Sequence, residues 1–155
     1  MQIGNEIHFS SVRFGVKGDN AAQVIKNISS IIANNTSLGP SETHDHMDHL
    51  FQTSMTGIGD GIALFDWVSD SITEPYLFCA RLESSVGFSA IDDRGVDIIL
   101  VLISPRKNGP LHLQYLARVT RMFREPRLLQ KLRDISCTDG LSSVLSPENK
   151  TVFAA

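Results

Sequence analysis

Val12, Phe14 and Val16 alternate with polar or small residues, the period of a half-buried strand. Gly18 and Asp19 end that run, and Asp19 is placed to cap a helix beginning at the next residue. From about residue 20 to residue 34, Ala21, Val24, Ile25, Ile28, Ile31 and Ile32 recur every three or four positions, which predicts a helix with one apolar face. Asn34, Asn35 and a Leu38-Gly39-Pro40 turn close it. Ser41 then reads as the cap of a second helix, about 42 to 52, with Met47, Leu50 and Phe51 facing inward.

Strands are predicted at 61–65, 76–82 and 96–104, the last so nearly apolar throughout that burial on both faces of a sheet is expected. Leu113, Leu116, Ala117, Thr120 and Phe123 make one face of a third helix. Pro126 fits the first turn of a fourth, which carries Leu128, Leu129 and Leu132. A short helix from about 138 to 145 precedes a Ser-Pro-rich tail, about 147–155. Helices interspersed with strands predict an α/β domain. With 155 residues, 42% of them hydrophobic, the chain can bury a full core as one domain, 1–155, so no subdivision is needed.

Charge and composition narrow the function classes. No basic segment leading into an apolar run opens the chain, and the run from Val96 to Ile103 is interrupted at Asp97 and too short to cross a bilayer. A cytoplasmic protein without membrane insertion is expected. Cys79 and Cys137 are too few and too far apart for a disulfide scaffold or a zinc site, so buried, reduced thiols are expected. The net charge of -3 conceals an asymmetry, since 98–124 holds no Asp or Glu but does hold Arg106, Lys107, Arg118, Arg121 and Arg124. In a chain that is acidic as a whole, this patch is not expected to bind nucleic acid. The patch reads as a solvated helix face, with docking of an acidic protein as the functional option. In the run His44 to His49, Asp45, His46 and His49 fall on the side of the helix away from Met47, Leu50 and Phe51. One helix face supplies no converging ligand set, so neither a metal nor a cofactor is expected.

The stretch Thr56 to Trp67, TGIGDGIALFDW, places Gly57, Gly59 and Gly61 ahead of a short apolar run that breaks off at Asp66. Glycines so placed most simply describe a tight turn entering a strand. No Lys-Ser/Thr pair comes after them, as a phosphate-binding P-loop requires, and the glycines precede the strand where a dinucleotide fingerprint would come after one.

Taken with the residues beyond it, the stretch resembles the signature of the mannitol/fructose-type enzyme IIA domains of the bacterial phosphotransferase system, and especially their nitrogen-regulatory branch. There a Thr-Gly-Ile-Gly-x-Gly-x-Ala-Ile/Leu turn leads into Pro-His, and Thr56, Gly57, Ile58, Gly59, Gly61, Ala63 and Leu64 match it. The resemblance continues through Phe88 to Pro105 and into Leu111-His112-Leu113, similar to the family's second histidine at a helix start. Leu116-Ala117 and Leu128 to Leu132 agree with its closing helices, so nearly the whole chain is covered.

The resemblance implies an α/β single domain, a mixed β-sheet flanked by helices on both sides. It implies binding roles for Thr56, Gly57, Gly59 and Gly61, and a site formed by Asp66 and His112. In such domains the His after the Pro accepts a phosphoryl group from a small phosphocarrier protein, work that suits a neutral imidazole nitrogen. Here that Pro-His pair is Phe65-Asp66, and the family's active-site arginine falls at about Leu50, so neither acceptor nor clamp is present. The expected function is therefore a phosphorylation-independent regulatory module, with Asp66 partly imitating a phosphorylated residue and His112 as its hydrogen-bond partner. Its expected partners are proteins: the phosphocarrier protein, or a regulated kinase, transporter or transcription regulator. The residues leave three alternatives. Asp66 serves only to hydrogen-bond in an exposed turn beside Trp67, or Asp66 or His112 itself carries phosphate, or the cleft binds a small anion. Whether the chain is an enzyme, and whether it self-associates, stays open at this level.

Overall fold

The computed structural model describes residues 7–88, 92 and 94–146. The first strand, β1 (Ser11–Val16), leads into helices α1 (Ala21–Asn35) and α2 (Pro40–Thr53), then into the hairpin strands β2 (Gly57–Gly59) and β3 (Ile62–Ser69). Strands β4 (Tyr76–Val86) and β5 (Val96–Pro105) complete the sheet, and α3 (Pro110–Met122), α4 (Pro126–Asp134) and α5 (Thr138–Val144) close the chain. The sheet order is β1-β4-β5-β3-β2. The pairs β1/β4 and β3/β5 are parallel and β4/β5 and β2/β3 antiparallel, so the sheet is mixed.

Each face of the sheet carries its own core. On one side Val24, Ile25, Ile28 and Ile32 of α1 and Met47 of α2 pack on Phe65, Phe78, Val101 and Ile103. On the other, Val119, Leu128, Leu129, Leu132 and Leu141 pack on Ile62, Leu77, Leu100 and Leu102. Strand β5 lies in the middle and is buried on both faces, which accounts for its continuous apolar run. The tail predicted at 147–155 lies outside the described residues.

Several local expectations need correction. Val12 and Phe14 pack against the second core but Val16 belongs to the first, because the register of β1 shifts at Gly15, a residue with φ +78°. That bulge reverses the alternation halfway along the strand. The cap of α1 is Asn20, whose side chain accepts from the Gln23 N–H at 2.9 Å; Gln23 Oε1 in turn accepts from the Asp19 N–H. Helix α2 starts at Pro40 after Gly39 and uses no side-chain cap; proline suits the first position, where its missing N–H leaves one fewer donor to satisfy. Of the two thiols only Cys79 is buried; Cys137 is exposed and caps α5, its sulfur accepting from the Gly140 N–H.

Candidate functional site

Strand β3 does not stop at residue 65. It pairs with β5 from Ile62 opposite Ile98 to Ser69 opposite Pro105, and Asp66 sits mid-strand opposite Leu102. The reading of Asp66 as a turn residue is thereby corrected, and Trp67 beside it is buried. Alternation along β3 sends Phe65 and Trp67 into the α1/α2 core and Asp66 toward the opposite face, where α3 packs.

Helix α3 brings the second group. A 3-10 turn (Arg106–Asn108) and Gly109, at φ +34°, turn the chain from the end of β5 into α3, whose first turn carries Pro110, Leu111 and His112. His112 is buried, and its ring is held from both sides. Its Nε2 lies 2.9 Å from Asp66 Oδ2, and its Nδ1 lies 2.6 Å from Ser104 Oγ, two residues along β5 from the partner of Asp66. An ionised carboxylate only accepts, so Nε2 carries a proton and donates to Asp66. Nδ1 then accepts from the Ser104 hydroxyl in the neutral ring, or donates to that oxygen in the charged one. The hydroxyl can serve either state, whereas an apolar residue there would strand a buried nitrogen.

Exposure differs between the two ends of this chain of contacts. Ser104 is 1% exposed, and the side chains of His112 and Asp66 are 10% and 36% exposed. Asp66 is thus the only one of the three with a substantial solvent-facing surface. Neither ring nitrogen of His112 offers a free lone pair to an incoming phosphoryl group in this arrangement: Nε2 is protonated and Nδ1 is buried against Ser104. Leu50 packs against the α1/α2 core.

The sequence pattern does not single out Ser104. It ends an apolar strand immediately before Pro105, and its only signal is a hydroxyl where the β5 pattern calls for another buried aliphatic residue.

The glycine turn is a separate structure from the Asp66–His112 pair. Gly57 pairs with Ala63, three residues from Asp66 or about 10 Å along the strand. Thr56 accepts from the Leu64 N–H at 2.9 Å through its carbonyl; its side chain is buried, and the hydroxyl has no partner among the described residues. Gly61, at φ +81°, sits against the Arg133–Asp97 pair: a Cβ there would lie 2.5 Å from Arg133 Nη2 and 2.8 Å from Asp97 Oδ1, so the paired side-chain ends would have to shift. Arg133 of α4 grips Asp97 through two 2.9 Å contacts and also donates to the Asp60 carbonyl. The turn therefore ties α4 to the start of β3 and β5. Gly57 and Gly59, with Met55, Ile58, Thr120 and Arg124, also line a groove of about 540 Å³ between β2 and α3.

The histidine-rich helix face also differs from expectation. Asp45 and His49 are exposed, but the His46 ring stacks on Trp67 with centroids 5.1 Å apart and planes 10° from parallel, so it is half-buried. Among the described residues no group of three His, Cys, Asp or Glu side chains converges on a metal-sized site. No helix among them is long and apolar enough to cross a membrane.

A mixed five-stranded sheet with two helices on one face and three on the other, and an Asp–His pair where β3 meets α3, is the frame onto which a family model of 7–147 fits: the chain belongs to the phosphoenolpyruvate-dependent sugar phosphotransferase system EIIA 2 family. Among individual relatives, a nitrogen regulatory protein of Escherichia coli is 24% identical over 153 residues, covering 97% of this chain and 93% of that protein. A nitrogen regulatory protein of Bradyrhizobium diazoefficiens is 30% identical over 91 residues, which is 59% of this chain and 60% of that protein, so this match spans less than two thirds of the relative. The crystal structure of the nitrogen regulatory protein IIA-Ntr from Neisseria meningitidis superposes with a TM-score of 0.80 at 18% identity, covering 88% of this chain and 94% of that one.

Proposed function

We propose that this chain is a regulatory IIA protein of the nitrogen-regulatory kind, acting by binding other proteins and not by carrying a phosphoryl group at the family's usual position. Asp66 occupies the acceptor position on this reading and supplies a fixed negative charge there. A carboxylate contributes about one charge against roughly 1.5 to 2 for a phosphoryl group, so it imitates the phosphorylated state only in part.

The observation that carries the reading is the double engagement of His112, by Asp66 at 2.9 Å and by Ser104 at 2.6 Å. A nucleophilic imidazole needs an accessible lone pair. Asp66 as an acyl-phosphate acceptor would need a metal or a cation to offset the charge, and among the described residues its ion-pair partner is His112, not a Lys or Arg.

The test is intact mass and phosphate incorporation for the purified protein mixed with phosphoenolpyruvate and the two upstream phosphocarriers, beside Asp66→His and His112→Ala. No uptake by the native chain and a gain in Asp66→His is the expected result. Uptake by the native chain that is lost in His112→Ala would overturn the proposal and make the chain a phosphocarrier.

A further inference from the structure

Helix α3 is rotated from the orientation its sequence predicts, with the two faces overlapping. Of the expected inward set, Leu113, Leu116, Ala117, Thr120 and Phe123, the structure buries Phe123 and packs Leu116 partly on the core, but Leu113 and Ala117 are exposed, while His112 and Val119 are buried. With His112 held by Ser104 and Asp66, and Tyr115, Leu116, Val119 and Met122 packed on the second core, Leu113 is left 68% exposed and Ala117 is exposed beside it. Leu113, Ala117, Thr120 and Arg124, spaced by four, three and four residues, form one outward stripe about 16 Å long.

The stripe does not end at α3. Thr120 and Arg124 also line the groove against β2, whose other wall holds Met55, 60% exposed, and Ile58, 37% exposed. Through Thr120 and Arg124 the exposed apolar groups of α3 thus run on toward Ile58 of β2 and Met55 just ahead of it, beyond the scattered single exposures normal for a surface.

Its unpaired charge is positive, since the neighbouring acid Glu125 pairs with Arg127. Arg121 and Arg124 are exposed beside the stripe and Lys107 beyond its N-terminal end, and no carboxylate among the described residues pairs with any of these three. No Asp or Glu occurs in 98–124. The one acid lining the groove, Asp60, faces Arg94 at 3.6 Å, and Asp66 is occupied by His112.

We propose that this strip is a docking surface for an acidic amphipathic segment of a partner protein, its apolar side chains seated between α3 and β2 and its carboxylates on Arg121 and Arg124. The inference rests on the partner-binding reading above and specifies the partner's chemistry. Unpaired cations around an apolar strip favour a partner of opposite charge and set a salt-dependent association.

The probe is a synthetic amphipathic peptide of roughly 15 residues, about four helical turns, with Leu on one face and Glu on the flanks. It is compared with the same peptide carrying Lys for Glu, by fluorescence anisotropy with the full chain at low and high salt. Amide shifts in an ¹⁵N NMR titration locate the contact. The expected result is preference for the Glu peptide, weakening with salt, with shifts on α3 and β2 and a loss of about tenfold or more in Arg121→Glu/Arg124→Glu and in Leu113→Ser. All three positions are exposed, so the variants fold, which circular dichroism checks.

Equal binding of both peptides, no binding, shifts elsewhere, or unchanged affinity in the variants would overturn the proposal. So would self-association by sedimentation that Leu113→Ser abolishes, or binding to phosphatidylglycerol vesicles without binding to the peptide. Phosphate uptake alongside peptide binding would sink the regulatory reading and leave the docking surface; the reverse outcome separates them the other way.

Discussion

Ser104→Ala tests the arrangement around His112 most directly. The substitution removes one buried oxygen and almost no volume, so its cost is that of a hydrogen bond and not of a cavity. Ser104 is 1% exposed and His112 8%, so water does not replace the lost hydroxyl freely, and Nδ1 is left buried and unpaired. Leaving one such group unsatisfied costs about 1–3 kcal/mol. For a domain of this length each kcal/mol moves Tm by roughly 2–4 °C, so a 2 kcal/mol loss lowers it by about 4–8 °C. Urea unfolding tracked by the emission of Trp67, the one tryptophan and a buried residue, measures the change. Asp66→Asn and the double variant complete a cycle. Because both groups hold one ring, release by either reduces what the other contributes, and the double variant should be less destabilised than the sum by about 0.5 kcal/mol or more. A native-like Ser104→Ala, within about 0.5 kcal/mol, together with additive single changes would refute the claim that the two groups jointly fix His112.

Gly15 and Gly61 have nearly equal positive φ, +78° and +81°, but only at Gly61 would a Cβ strike neighbouring atoms. Alanine at either position meets a left-handed penalty of about 1–2 kcal/mol, and Gly61→Ala should lose at least about 1 kcal/mol more than Gly15→Ala in chemical denaturation; equal losses would count against the close packing of Arg133 and Asp97. Arg133→Met removes the contacts to Asp97 and to the Asp60 carbonyl, and at a pair still 28% and 25% exposed this should cost about 1–3 kcal/mol. Adding Asp97→Asn should recover part of that loss in a thermal melt, because the carboxylate left unpaired is then gone. Burial pushes the Cys79 thiol well above the usual range, so a thiol reagent under native conditions should label Cys137 alone, with Cys79 reacting only after denaturation. Rapid labelling of both in the native state would contradict the buried position of β4.

The sequence alone determined those elements whose apolar spacing reports a single flat contact. Helix α1 and helix α4 bury the residues their periodicity names, since each lies against one face of the sheet with little competing for its orientation. The continuous apolar run of β5 and the glycine-rich approach to β3 were likewise legible, because burial on both faces and positive φ each restrict residue type locally. Rotation and pairing were decided only by the tertiary structure. Gly15 moves Val16 to the other core through a bulge against β4, which depends on where that strand sits. The orientation of α3 packs Tyr115, Leu116, Val119, Met122 and Phe123 on the second core and brings His112 to Ser104 and, 46 residues back, to Asp66. An apolar side chain such as Leu113 loses a modest transfer energy when it turns outward, whereas a buried imidazole left unpaired loses the full desolvation cost of a polar group. Polar pairing across the fold therefore acts together with apolar packing in choosing between the faces α3 could bury, and no local pattern in the sequence encodes which partner will be there.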